Sequence, residues 1–286
     1  MGATALRLLL EASCCPASGF DVVAAVTRPP AGRKKLPSPV HALAEARGIE
    51  TLTPPTAKDP AFLERMGALD ADLYVTAAYG CYLPRALLRL PRFGTLNIHP
   101  SLLPLYRGAS PVQRSLEAGD AATGVSVLFS VAKMDAGPVL RQTVRALGGD
   151  ERAPDLLEEL FATGVADLVD ALPGVWEGKG GKEAVAQDDE VATHAPLIDR
   201  DERWTCLATS SAAAVHNKVR RCVVYVCVWS VCRCGWRGGG SKGLANMIVI
   251  KHIEDDGIAP GLMAGVCRQV IGKERREMLK VMVCTL

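Results

Sequence analysis

Between residues 3 and 172, apolar segments with helical spacing alternate with short Val-, Ile- and Leu-rich runs, and no other feature restricts the fold as strongly. Ala3–Ser13 places Leu6, Leu9 and Leu10 on one helical face, and Phe20–Val26 follows as a strand. Pro37, Ser38 and Pro39 lead into a helix through Glu45. A strand at Ile49–Leu52 then precedes a helix around Asp59–Met66. The pattern continues with a strand at Asp72–Ala77, a short helix at Pro84–Leu90 and a strand at Gly94–His99. A helix at Pro111–Ala118 and strands at Gly124–Val131 and Val139–Val144 come next. A longer helix at Pro154–Leu172 closes the series, with Leu156, Leu157, Leu160, Phe161 and Val165 at helical spacing. Strands that take turns with helices imply an α/β protein with a mostly parallel sheet flanked by helices.

At 286 residues the chain has room for one sizeable domain and a smaller second one. Trp176–Glu190, rich in Gly, Lys and acidic residues, lacks periodicity and reads as a hairpin or a linker. The boundary is placed near Gly181. A composition 49% hydrophobic and 22% charged is that of a globular chain, and no internal repeat is visible. A net charge of +2 does not announce a nucleic-acid partner, so the case for one rests on where Lys and Arg cluster. The longest apolar run, Val223–Cys232, is about half of the roughly 20 residues that a spanning helix needs, so no membrane partner is expected. No secretory signal or transit peptide is recognisable at the start. Ten scattered cysteines in a chain of this size suggest a reducing compartment. The cluster Cys222, Cys227, Cys232 and Cys234 lacks the paired knuckles of a zinc site, so no metal is expected.

Polar groups gather where an apolar strand ends, in the string Asn97-Ile-His-Pro-Ser-Leu-Leu-Pro-Leu-Tyr-Arg-Gly-Ala-Ser-Pro111. Alternation turns Asn97 and His99 to the same side, at the carboxyl end where α/β sheets carry their ligand crevice. An amide that can stabilise an oxyanion, beside an imidazole that can move a proton, suits acyl transfer to an amine. An Asn and a His at a strand end also serve often as structural hydrogen-bonding residues.

The complete string resembles the Asn-x-His-x-Ser-Leu-Leu-Pro-x-x-Arg-Gly-x-x-Pro motif of the folate-dependent formyltransferases. That resemblance implies a Rossmann-like domain, 10-formyltetrahydrofolate as co-substrate, and Ser101, Leu102, Leu103 and Pro104 beside the folate. It also implies a downstream catalytic Asp, which Met134-Asp135-Ala136-Gly137-Pro138 supplies, so the expected group is Asn97, His99 and Asp135. Asp135 would orient the imidazole and help to take a proton from the attacking amine. Taken alone, the same Asp reads as a turn residue before Gly137.

Thr27-Arg-Pro-Pro-Ala-Gly-Arg-Lys-Lys-Leu-Pro-Ser-Pro-Val40 is similar to the loop by which methionyl-tRNA formyltransferases engage the acceptor stem. Its Pro and Gly residues keep it irregular, and Arg28, Arg33, Lys34 and Lys35 make it suited to phosphates. Gln113, Arg114 and Thr123-Gly124-Val125 also resemble the tRNA-specific branch, and the likeness runs from about residue 3 to residue 221. The implied function is transfer of the formyl group to the amino group of initiator methionyl-tRNA for translation initiation. A monomer in bacterial-type cytoplasm, a mitochondrion or a plastid is expected. The alternatives are another 10-formyltetrahydrofolate-dependent transferase or hydrolase, or a catalytically inactive RNA-binding relative.

Members of this family open with a strand and a Gly-Thr-Pro turn, whereas this chain opens on the helix that follows. Lacking that central strand, its neighbours are expected to keep unpaired backbone groups, at roughly 1–3 kcal/mol for each buried one. The expectation is therefore a truncated or misjoined gene product. Residues 1–180 would form the catalytic domain without its first strand. Residues 181–286 would form an incomplete, β-rich, OB-like domain that adds tRNA contacts, unmatched from about residue 222.

Overall fold

The computed structural model describes residues 1–15, 19–30, 36–78, 82–199, 201–206, 209–221, 225–230 and 246–251. They fall into two units, Met1–Asp199 with His216–Val223, and Arg200–Val215 with Val224–Leu286.

In the first unit, helices α1 (Gly2–Ser13), α2 (Pro39–Ala46), α3 (Pro60–Ala68), α4 (Arg85–Leu88) and α5 (Pro111–Ala118) alternate with strands β1 (Ala24–Val26), β2 (Glu50–Leu52), β3 (Tyr74–Ala77), β4 (Thr95–His99) and β5 (Ala122–Phe129). Strand β6 (Val139–Ala146) and helices α6 (Ala153–Trp176) and α7 (Gly180–Glu183) complete it. The starts of α2 and α3 follow from local chemistry: Ser38 and Asp59 accept the backbone N–H of His41 and Ala61, and Pro39 and Pro60 occupy the first helical positions. Helix α5 stops at Gly119, whose φ of 76° is left-handed.

β1 pairs with β2 and β3 with β4, both parallel, as the alternation implies. β5 runs antiparallel to β4, and β6 antiparallel to β5. No helix separates β5 from β6, and neighbours joined without a crossover pair antiparallel. The sheet is therefore mixed. Its core is built by Leu96 and Ile98 of β4 and Val125 and Val127 of β5, packed against Leu160, Phe161 and Leu168 of α6. Gly164 permits this approach, because a Cβ there would meet Ile98 Cγ2 at 2.4 Å and Val125 Cγ2 at 2.7 Å.

β1 and β3 are end strands of separate sheets. The consecutive runs Ala24–Arg28 and Leu73–Ala78 border one cavity of about 910 Å³, which Leu6 and Leu9 of α1 and Leu168 and Leu172 of α6 also line. Runs of consecutive residues, where a sheet face would contribute alternate ones, mean that strand edges face this space. Among the described residues, β1 and β3 thus each turn an unpaired edge to this cavity. β1 is also shorter than the Phe20–Val26 expected from sequence.

Gly181, the boundary inferred from sequence, lies within α7, and the first unit continues to Asp199. Helix α8 (Ala212–Arg221) contributes its second half to this unit, where the fully buried Arg221 donates to Glu117 Oε2 at 2.8 Å. In the second unit β7 (Trp204–Cys206) pairs parallel with β8 (Tyr225–Ser230), and β8 antiparallel with β9 (Asn246–Lys251). Most of the segment expected to form an OB-like domain lies outside the described residues. No described helix is long and apolar enough to cross a membrane.

Candidate active site

β4 carries Leu96 and Ile98 into the core and Asn97 and His99 to the opposite face, at the strand's carboxyl end. The segment after β5 brings Asp135 to them in a left-handed conformation, φ 48°. Asn97 Nδ2 donates to Asp135 Oδ1 at 3.3 Å, and the backbone N–H of Gly108 donates to Asp135 Oδ2 at 2.9 Å. His99 Nδ1 faces the same Oδ2 at 3.7 Å. The three residues singled out from sequence therefore form one cluster.

Its orientation is set by groups that periodicity did not reveal. The Asp135 carboxylate can only accept, which makes the end of the Asn97 amide facing it the nitrogen, and Thr76 Oγ1, on β3, donates to Asn97 Oδ1 at 2.8 Å. One amide hydrogen of Asn97 then goes to Asp135, and the other has no protein partner among the described residues. His99 Nε2 lies 3.0 Å from the carbonyl oxygen of Tyr106. A carbonyl can only accept, so Nε2 carries a hydrogen and Nδ1 is the nitrogen turned to Asp135. Tyr106, at φ 61°, is anchored by its hydroxyl, which donates to Asp120 Oδ2 at 2.7 Å. Burial, with the Asp120 contact second, holds that hydroxyl well above the ordinary tyrosine range.

Within the residues expected beside folate, Ser101 is fully buried and donates to the Leu105 carbonyl at 2.7 Å, and Leu103 is 5% exposed with its N–H on Ser126 Oγ. Their side chains build the loop and do not face outward, because the apolar layer beneath needs Leu103 and the turn needs the Ser101 hydroxyl. Leu102 and Pro104 are half-buried. Arg28 is exposed just beyond β1, whereas Arg33, Lys34 and Lys35 lie outside the described residues. The described residues hold no group of three metal-ligating side chains. The cysteine cluster from Cys222 to Cys234 falls outside the described side chains.

The loop from Pro104 to Ser110 is covered by residues 185–197, whose first part falls in Trp176–Glu190, read from sequence as a hairpin or a linker. Arg107 N–H donates to Thr193 O at 2.9 Å, Ala195 N–H to Arg107 O at 2.7 Å, and Ser110 N–H to Ala195 O at 3.1 Å. Gly108, at φ 128°, admits this strap, since a Cβ would lie 2.7 Å from Ala195 O. Arg107, 7% exposed, donates to Gln187 Oε1 from Nε and Nη2, and to Asp189 Oδ1 from Nη1 at 2.6 Å. Lys133 first and Arg107 second hold the Asp189 carboxyl below the ordinary carboxylate range. Arg114 reaches the strap too, donating to the Pro196 and Leu197 carbonyls.

Fold and site together define a mixed α/β domain in which an Asn and a His at the carboxyl end of a central strand both face one Asp. The chain belongs to the formyl transferase family, whose model matches residues 3–171. It is 42% identical over 189 residues to a methionyl-tRNA formyltransferase of Pseudomonas putida, covering 65% of this chain and 60% of that one. To a methionyl-tRNA formyltransferase of Halalkalibacterium halodurans it is 35% identical over 244 residues, 83% of this chain and 72% of that one. The chain thus spans about 60% of the first relative's length. A solved glycinamide ribonucleotide transformylase from Symbiobacterium toebii superposes with a TM-score of 0.55 at 25% identity, covering 65% of this chain and 90% of that one.

Proposed function

We propose that the protein transfers the formyl group of 10-formyltetrahydrofolate to the amino group of methionine on initiator tRNA, as the names of its relatives suggest. The observation that carries this reading is the meeting of Asn97, His99 and Asp135 around Asp135 Oδ2 and Oδ1. In the reaction a C–N bond forms between the methionine nitrogen and the formyl carbon, the bond from that carbon to folate N10 breaks, and N10 takes up the proton that the amine loses.

Asn97 presents its remaining amide hydrogen to the oxygen that gains charge as the formyl carbon turns tetrahedral. His99 takes the amine proton at Nδ1, the ring nitrogen left without a hydrogen, and the Asp135 carboxylate 3.7 Å away stabilises the imidazolium until the proton passes to N10. Tyr106 keeps the imidazole in place from the far side through Nε2. Leu102 and Pro104, the half-buried members of the motif loop, offer the apolar edge for the folate. Arg28, Arg33, Lys34 and Lys35 hold acceptor-stem phosphates, and residues 181–286 extend the tRNA contact. The protein acts as a monomer in translation initiation of the bacterial type, in cytoplasm or an organelle.

An acceptor panel tests this. Purified protein and 10-formyltetrahydrofolate are combined with initiator methionyl-tRNA, glycinamide ribonucleotide or an amino-sugar nucleotide, and formylated product is measured. Product from the tRNA alone supports the reading. Preference for either small amine, or slow release of formate with no acceptor preference, contradicts it.

A further inference from the structure

The strap places one side chain against both halves of the site. Gln187 Nε2 donates to the backbone carbonyls of Asp135 at 2.8 Å and of Gly137 at 2.7 Å, using both of its amide hydrogens. Its Oε1 meanwhile accepts from Nε and Nη2 of Arg107, at 2.9 and 2.7 Å. Arg107 belongs to the loop that supplies the Tyr106 carbonyl to His99 and the Gly108 N–H to Asp135. One primary amide therefore ties the backbone that carries Asp135 to the backbone that orients His99. The left-handed conformation of Asp135 is unfavourable for a non-glycine residue and persists only where the surroundings determine it. Two hydrogen bonds to the carbonyls at and just after Asp135 are such a determinant.

We infer that Gln187 is a positioning residue for the proposed formyl transfer, setting the distance between the Asp135 carboxylate and His99 Nδ1 without touching substrate. The inference rests on the function proposed above. Only an amide serves, because the position needs two donors toward carbonyls and an acceptor toward a guanidinium on the same planar group. Glu would keep the pairing with Arg107, and even strengthen it through charge, but would turn an acceptor toward two carbonyls. Leu would lose both.

The pair Gln187→Glu and Gln187→Leu separates positioning from simple docking of the strap. Gln187 is half-buried near the surface, so both variants are expected to melt within a few degrees of wild type. If the clamp positions Asp135, both lower kcat by about 10–100-fold and leave KM for tRNA and folate within about twofold, since a misplacement on the order of 1 Å is felt in the chemical step. Near-normal kcat in Gln187→Glu, with loss only in Gln187→Leu, would mean that the Arg107 contact alone matters and would overturn the inference.

A second readout needs no activity: the ¹⁵N resonance of His99 Nδ1, assigned with a His99→Gln variant, is recorded in wild type and in Gln187→Glu. A changed Nδ1 signal with an unchanged Nε2 signal supports the clamp even where wild type fails to formylate tRNA, in which case the function alone is wrong. An identical Nδ1 signal overturns the clamp, whatever the turnover.

Discussion

Replacing Gly137 by Ala probes the segment that delivers Asp135, and the structure supplies the size of the effect. A Cβ at residue 137 would lie 1.7 Å from the carbonyl oxygen of Phe129 and 2.9 Å from its carbonyl carbon. Both are backbone atoms of a strand paired on two sides, so no rotamer change relieves the clash. To restore an ordinary contact of 3.4 Å from the present 1.7 Å, residue 137 must retreat by about 1.7 Å. The two carbonyl contacts to Gln187 and the Gly108–Asp135 hydrogen bond of 2.9 Å are too short to survive such a shift intact. Overpacking of this kind costs about 1–3 kcal/mol. Because the shift displaces the segment that carries Asp135, the carboxylate proposed for catalysis, kcat is expected to fall about 10²-fold or further. Steady-state formylation kinetics with a thermal melt of the same sample measure both. A folded variant with kcat within threefold of wild type would refute a catalytic position for Asp135 that depends on Gly137.

Three more outcomes are expected. Asn97→Ala lowers the formylation rate by about 10²–10³ if its amide supports the oxyanion, and a drop of only a few-fold would make it a structural residue. Phe161→Ala, at a position 2% exposed in the core beneath β4 and β5, costs about 3–5 kcal/mol in denaturant unfolding, whereas a loss below 1 kcal/mol would contradict that packing. Replacing Arg33, Lys34 and Lys35 together by Ala weakens methionyl-tRNA binding and flattens its log–log salt dependence by about one unit per lost contact. An unchanged slope would remove this loop from the tRNA surface, while formate release from 10-formyltetrahydrofolate without tRNA serves as the unaffected control.

Local chemistry made much of this readable in advance. Prolines after Ser38 and Asp59 marked helix starts, Leu and Val at helical spacing marked α6, and alternation in β4 put Asn97 and His99 on one face while Leu96 and Ile98 took the other. The direction of β5 was not readable, because a helix between two strands permits either sense and only tertiary packing decides. Residues 185–197 were missed for a related reason. An edge segment that bonds through Thr193 and Ala195 backbone groups shows no periodicity, and contacts such as Gln187 with Asp135 span some fifty residues. Thr76 went unnoticed inside an apolar strand, where a lone Thr is ordinary β-former chemistry. The buried side chains of Ser101 and Leu103 were not readable either, since membership of a motif does not tell whether a side chain faces outward or holds the loop.

The central claim is that the cluster at the end of β4 performs the proton transfer of formylation. Single-turnover formylation of methionyl-tRNA by wild type and by His99→Ala, with tRNA affinity measured on the same samples, tests it most directly. The expected result is loss of transfer in the variant with tRNA affinity nearly unchanged, because His99 is 4% exposed and offers almost no surface for RNA to bind. Comparable transfer rates in the two proteins, with equal affinity, would contradict it.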